Sequence, residues 1–174
     1  MFDTFIRREN QIFEILQEFA DAGLEFIAVE GYAVSAYKHR FSVDADIVVK
    51  KNDMEKFTLI LAKNKFVKTI FKQLENEYSS QFVRYQKKGE LPVSFDMLID
   101  GLGVRQTNAV FGYDMLRSHS EKKKIKGIEK EVTLLVPRRE LLVAMKLHSG
   151  RATDLRDVAA LCKVLDLALI QKVI

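Results

Sequence analysis

The stretch GYAVSAYKHRFSVDADIVV, Gly31–Val49, decides the fold. It places two carboxylates, Asp44 and Asp46, one residue apart before the apolar run Ile47-Val48-Val49. Side chains at i and i+2 of a strand share a face, so both acids lie on one side, roughly 6–7 Å apart at Cα. Like charges that close repel unless a cation sits between them. Carboxylate oxygens suit a hard divalent ion, Mg²⁺ or its substitute Mn²⁺. The same spacing is also that of a turn or a helix-cap pair.

Upstream, LEFIAV (24–29) is a short apolar run and reads as a strand. Gly31 follows it and opens a short helix over 31–37. Backbone N–H groups at a helix start lack partners and favour an anion, and glycine lets a phosphate come close. Lys38 and Arg40 lie between this glycine and the carboxylates, where a cation could touch a triphosphate or stay a solvated loop charge. Tyr32 and Tyr37 could stack on a base, or could pack in the core.

Further upstream, Ile12, Phe13, Leu16, Phe19 and Ala20 recur at helical spacing and Gly23 supplies a stop, predicting a helix over about 8–22. Downstream, Asn52 or Asp53 caps a helix over 53–64, with Met54, Phe57, Ile60 and Leu61 inward. Strands are expected at 66–71, 81–88 and 93–100. Pro92 precedes the last of these, where its missing N–H does least harm. A helix is expected over 107–118 and a hairpin over 124–137, with Gly127 in its turn. Helices over 138–148 and 153–165 follow, split by Ser149-Gly150. The closing DLALIQKVI is apolar and must pack on something.

The strand VSFDMLID (93–100) carries a third carboxylate, Asp96, among Phe95, Met97 and Leu98. An unpaired charge in so apolar a strand costs several kcal/mol. Paired beside 43–49, the strand would bring Asp96 to Asp44 and Asp46. Three carboxylates can hold two metal ions about 4 Å apart, one for the attacking oxygen and one for phosphate. Asp100 competes for that third place, but it precedes Gly101 and suits a turn.

The 174 residues suffice for one domain, or for a domain with a small appendage. With 48% hydrophobic and 30% charged residues, the chain can bury a core and stay soluble. Only two prolines and eight glycines argue against a long linker. The net charge of +4 helps with any polyanion without diagnosing one. No apolar run approaches the ~18 residues of a membrane span, and MFDTFIRREN lacks a signal-peptide layout, so a cytoplasmic location is expected. The lone cysteine, Cys162, cannot form an internal disulfide and reads as a small buried hydrophobe. His39, His119 and His148 show no ligand spacing. The basic run Lys122-Lys123-Lys124-Ile125-Lys126, with Arg138 and Arg139, is a solvated face or a track for RNA phosphates.

The order helix, strand, helix, strand, helix, strands, helices is a mixed α/β or α+β layout. In the Gly31–Val49 stretch the chain resembles small nucleotidyltransferases of the polymerase-β-like superfamily, where a glycine-led helix start precedes Asp-x-Asp. SFDMLIDGLG resembles the later strand that carries their third aspartate, here Asp96. VPRRELLVAMKLHSGRATDLRDVAAL (136–161) resembles the C-terminal helices of abortive-infection and toxin–antitoxin relatives, matching at Lys146, Gly150, Arg151, Asp154 and Asp157. Where such proteins carry Gly or Ser pairs, this chain reads Glu30-Gly31.

The resemblance implies a short mixed sheet flanked by helices, with a nucleotidyltransferase core over 1–104. A small helical C-terminal part with a hairpin, over 105–174, would pack on it. It implies transfer of an NMP from an NTP to a hydroxyl of a protein, tRNA or small molecule. Asp44, Asp46 and Asp96 would be catalytic and hold two Mg²⁺ ions. Gly31, Tyr32, Arg40, Lys146, Arg151 and Asp157 would bind nucleotide, with Asp157 orienting the triphosphate or Arg151. The alternative is a nucleotide-binding module that kept the fold and lost turnover.

Overall fold

A computed structural model describes residues 2–72, 81–89 and 92–162. Its elements run α1 (Phe2–Asp21), β1 (Phe26–Ala28), α2 (Glu30–Ser35), β2 (Asp44–Val49), a 3₁₀ turn (Lys51–Asp53) and α3 (Met54–Lys63). Then follow β3 (Val67–Lys72), β4 (Gln81–Lys87), β5 (Val93–Ile99), β6 (Gly101–Val104), β7 (Ala109–Gly112), α4 (Tyr113–Ser118), β8 (Ser120–Lys126), β9 (Glu131–Pro137), α5 (Arg139–Ser149) and α6 (Ala152–Leu161). Seven strands form one mixed sheet in the order β3-β4-β5-β2-β1-β9-β8, and β6–β7 is a separate hairpin. This is the expected mixed sheet flanked by helices. The closing segment DLALIQKVI lies outside the described residues.

Alternation along the strands divides the sheet into two faces. Ala45, Ile47 and Val49 of β2 and Phe95 and Met97 of β5 turn to one side. There they meet Ile12, Phe13, Leu16 and Phe19 of α1 and Phe57 and Leu61 of α3. Phe19 sits edge-on to Phe26, Phe57 and Phe95 at 4.9–5.8 Å, which ties both helices to the sheet. The opposite face buries Ile27 and Val48 under Phe111 of β7, Leu116 of α4, and Leu141 and Met145 of α5. Asp44 and Asp46 share that second face with Val48.

Several expectations shift. The helix predicted over 107–118 is instead strand β7 followed by the short helix α4. Asn108, at φ 55°, turns the chain between β6 and β7. Asp53 makes no side-chain cap, because its Oδ1 accepts Lys56 Nζ at 2.8 Å. Cys162 is exposed rather than buried. The basic run forms β8, the edge of the sheet, with Lys124 paired to Glu131 at 2.6 Å and Lys123 to Glu121 at 3.4 Å. Lysines along an edge discourage pairing with another strand. Among the described residues, no helix is long and apolar enough to cross a membrane.

Candidate active site

Strands β2 and β5 run parallel, with Asp46 opposite Asp96 and Asp44 opposite Ser94. Neighbouring strands lie about 4.8 Å apart, so in-register side chains stand side by side. Asp44, Asp46 and Asp96 thus meet on the face that Val48 and Leu98 bury farther along. Asp100 is elsewhere. It sits in the β5–β6 turn at φ 61°, and its Oδ1 accepts the Lys51 N–H at 2.9 Å.

These acids line a cleft of about 360 Å³ with Glu30, Gly31, Arg40, Lys146, Arg151, Asp154 and Asp157. Asp46 has no hydrogen-bond donor among the described residues. Burial, and then the charges of Asp96, Glu30 and Asp44, push its carboxyl well above the usual range. Asp96 is held differently. Arg84, across from it on β4, donates Nε–H to Oδ1 at 2.7 Å and Nη2–H to Oδ2 at 2.6 Å. Arg84 Nη2 also lies 3.4 Å from Asp44 Oδ2. Burial works to raise the Asp96 carboxyl and prevails over Arg84, leaving it above its ordinary value. Among the described residues, no three ligating side chains are grouped closely enough to hold an ion as they stand.

A second cluster faces the first across the cleft. Lys146 of α5 is only 2% exposed, and its Nζ pairs with Glu30, with Asp154 at 2.9 Å and with Asp157 at 3.3 Å. The sequence signal for it is a lysine within LLVAMK, a run buried in full from Leu141. Arg151 precedes α6 and holds Asp154 through Nε at 2.6 Å and Nη2 at 3.0 Å, and Nη2 reaches Glu30 at 3.1 Å. Arg151 is therefore oriented by Asp154, not by Asp157. Asp157 lies instead 3.6 Å from Arg40 Nε.

Gly31 is needed for packing. A Cβ there would come within 2.3 Å of Ser42 Oγ and 2.9 Å of Arg40 Nη2. Tyr32, expected at the nucleotide, is 2% exposed in the core and edge-on to Phe13 at 5.7 Å. It faces away from the cleft. The aromatic at the cleft rim is Phe41, 42% exposed. Arg84 and Phe41 escaped sequence reading, since only the strand register sets Arg84 against Asp96.

Burial works to raise the Asp154 carboxyl, but hydrogen bonds from Arg151, Lys146 and Ser149 outweigh it and hold the group below the usual range. A depressed folded pKa contributes stability above the unfolded value near 4, lost as pH falls through the folded one. Asp154→Asn should therefore lower Tm at pH 7, and the gap to the parent should shrink below pH 4 in melts across pH 2–8.

This fold is the nucleotidyltransferase fold. The chain superposes on the antibiotic-resistance factor ANT(2'')-Ia with TM-score 0.59 at 11% identity, over 98% of this chain and 87% of that one. Against the lincosamide antibiotic adenylyltransferase LnuA, solved with lincomycin bound, the TM-score is 0.58 at 18% identity, over 90% and 98%. A candidate nucleotidyltransferase from Thermotoga maritima gives 0.56 at 14%, over 88% and 91%. No protein-family profile and no curated protein matches the chain.

Proposed function

We propose that this protein transfers an NMP from an NTP to a hydroxyl, releasing pyrophosphate. The observation that carries this reading is the cleft itself. Three carboxylates from two strands face a buried lysine and an arginine, in the fold shared with antibiotic adenylyltransferases. Among the described residues the cleft is lined by six carboxylates against four cations. That surplus equals the charge of one divalent ion, and Asp46, without a donor among the described residues, is the carboxylate most in need of one.

Asp44 and Asp46 fit an Mg²⁺ ion, or Mn²⁺ in its place. A second ion using Asp96 requires Arg84 to let go. Bound there, Mg²⁺ supplies charge neutralisation at the phosphates and acidity at the attacking hydroxyl. Lys146 and Arg151 would hold the terminal phosphates, with Arg40 beside them. Asp96 would accept the proton of the acceptor hydroxyl, positioned by the Arg84 fork. Phe41 would take the stacking role expected of Tyr32. No covalent intermediate is needed, because orientation and electrostatics carry the transfer.

The acceptor favoured by the neighbours is a hydroxyl of a small polar molecule, since one ANT(2'')-Ia structure holds adenylyl-2''-tobramycin. A protein or tRNA hydroxyl, as in a toxin–antitoxin component, is the competing acceptor. The competing activity is nucleotide binding without turnover, which Glu30 on the cations and Arg84 on Asp96 both favour. The test is incubation with each α-labelled NTP, Mg²⁺ and panels of aminocyclitols, lincosamides, tRNA and lysate protein. Label transferred to one acceptor class, with pyrophosphate released, supports the enzyme. Thermal stabilisation by NTP without transfer establishes the binding module.

A further inference from the structure

We infer that Glu30 is a built-in competitor for the substrate's polyphosphate and sets the affinity of the cleft for it. The inference rests on the nucleotide-binding reading above and specifies how that site is controlled. Its first support is the backbone. Glu30 sits at φ 52°, the left-handed region that favours glycine and strains a residue with a Cβ. The contacts of the Glu30 side chain offset that strain.

The side chain does so on cations. Glu30 Oε2 pairs with Lys146 Nζ and lies 3.1 Å from Arg151 Nη2. The second support is the charge count. Arg40, Lys146 and Arg151 form the cationic wall, and Asp154 and Asp157 are already bound to it. With Glu30 in place the wall is neutral, three charges against three. Only when Glu30 leaves does the wall carry the net positive charge that an incoming phosphate needs. The third support is mechanical. Gly31 is wedged under Ser42 and Arg40, so its backbone is fixed, while the Glu30 side chain is 23% exposed and can swing toward solvent. A carboxylate in a two-cation seat mimics a phosphate oxygen, and a polyphosphate must displace it.

The experiment is calorimetric titration of the full chain with sodium tripolyphosphate at fixed ionic strength. Glu30→Gly suits the left-handed backbone and Glu30→Gln keeps the side-chain volume, so the two cover each other should one fold poorly, as judged by melting. Arg151→Gln tests the seat. Asp114→Asn, an exposed acid outside the cleft, controls for charge alone. Both Glu30 variants should bind at least about tenfold tighter than the parent, a gain of about 1.4 kcal/mol. Asp114→Asn should change binding less than about twofold, because exposed distant charges are screened. The inference is overturned, with the phosphate seat intact, if parent binding depends on Arg151 while neither Glu30 variant binds tighter. If no variant binds tripolyphosphate, both the inference and the nucleotide reading fall.

Discussion

Asp46→Asn should cut transfer on the order of 10³-fold while making the protein harder to melt. The carboxylate lies on the cleft floor with no donor among the described residues, and burial together with Asp96, Glu30 and Asp44 opposes its charge. Asparagine keeps the shape and removes that repulsion, so Tm should rise by a few degrees. Ile47 and Val48, which anchor β2 to the two layers, are untouched. The lost negative charge is the one proposed to hold the metal at the transferring phosphate. The rate should therefore fall on the order of 10³-fold, the upper end of what one electrostatic contact to a developing charge contributes. Asp44→Asn should cost a similar factor with a smaller change in Tm, since Asp44 is 31% exposed and already near Arg84. Initial rates and melting curves on the same preparations check both parts. Transfer within tenfold of the parent would remove Asp46 from the chemistry.

Lys146→Met is the second large effect, and it acts on stability. The ammonium is 2% exposed and surrounded by Glu30, Asp154 and Asp157. Methionine fills the same volume but removes the buried cation that Glu30, Asp154 and Asp157 share, leaving only the more exposed Arg151 and Arg40 beside them. Removing one partner of a buried ion pair costs about 3–5 kcal/mol, far more than the pair's net worth. For a domain of this size that corresponds to a fall in Tm on the order of 10 °C. The loss should be partly recovered by adding Asp154→Asn, which removes one of the three acids around the vacated ammonium position, so the two changes should be strongly non-additive. A denaturant double-mutant cycle measures this. Additive losses would mean that the two groups do not share one network.

The parts of the site legible in sequence are those that follow from local periodicity. Asp44 and Asp46 had to share a face with Val48, and Asp96 had to share one with Leu98, because a strand alternates. Joining the two faces needed only β2 beside β5, and the parallel register puts Asp46 on Asp96. Lys146 is legible only through the family resemblance, which implies it at the nucleotide. What stayed hidden depends on packing between distant segments. Arg84 reads as one more cation in QFVRYQKK until β4 is registered against β5. Tyr32 and Gly31 are adjacent, yet one turns into the core and the other packs under Ser42 and Arg40. The span 107–118 reads as a single helix in sequence, yet only its second half, Tyr113–Ser118, is helical. The structure instead reverses the chain at Asn108 and sets Phe111 of β7 and Leu116 of α4 on the same apolar cluster.

The most direct test of the central claim is anomalous diffraction from a crystal soaked with Mn²⁺ and a non-hydrolysable NTP analogue. The prediction is a manganese peak about 2.1 Å from oxygens of both Asp44 and Asp46. Phosphate oxygens should lie within hydrogen-bond reach of Lys146 and Arg151, with Glu30 swung aside. Nucleotide bound with manganese remote from both aspartates, or no manganese at those carboxylates at millimolar concentration, would contradict the account.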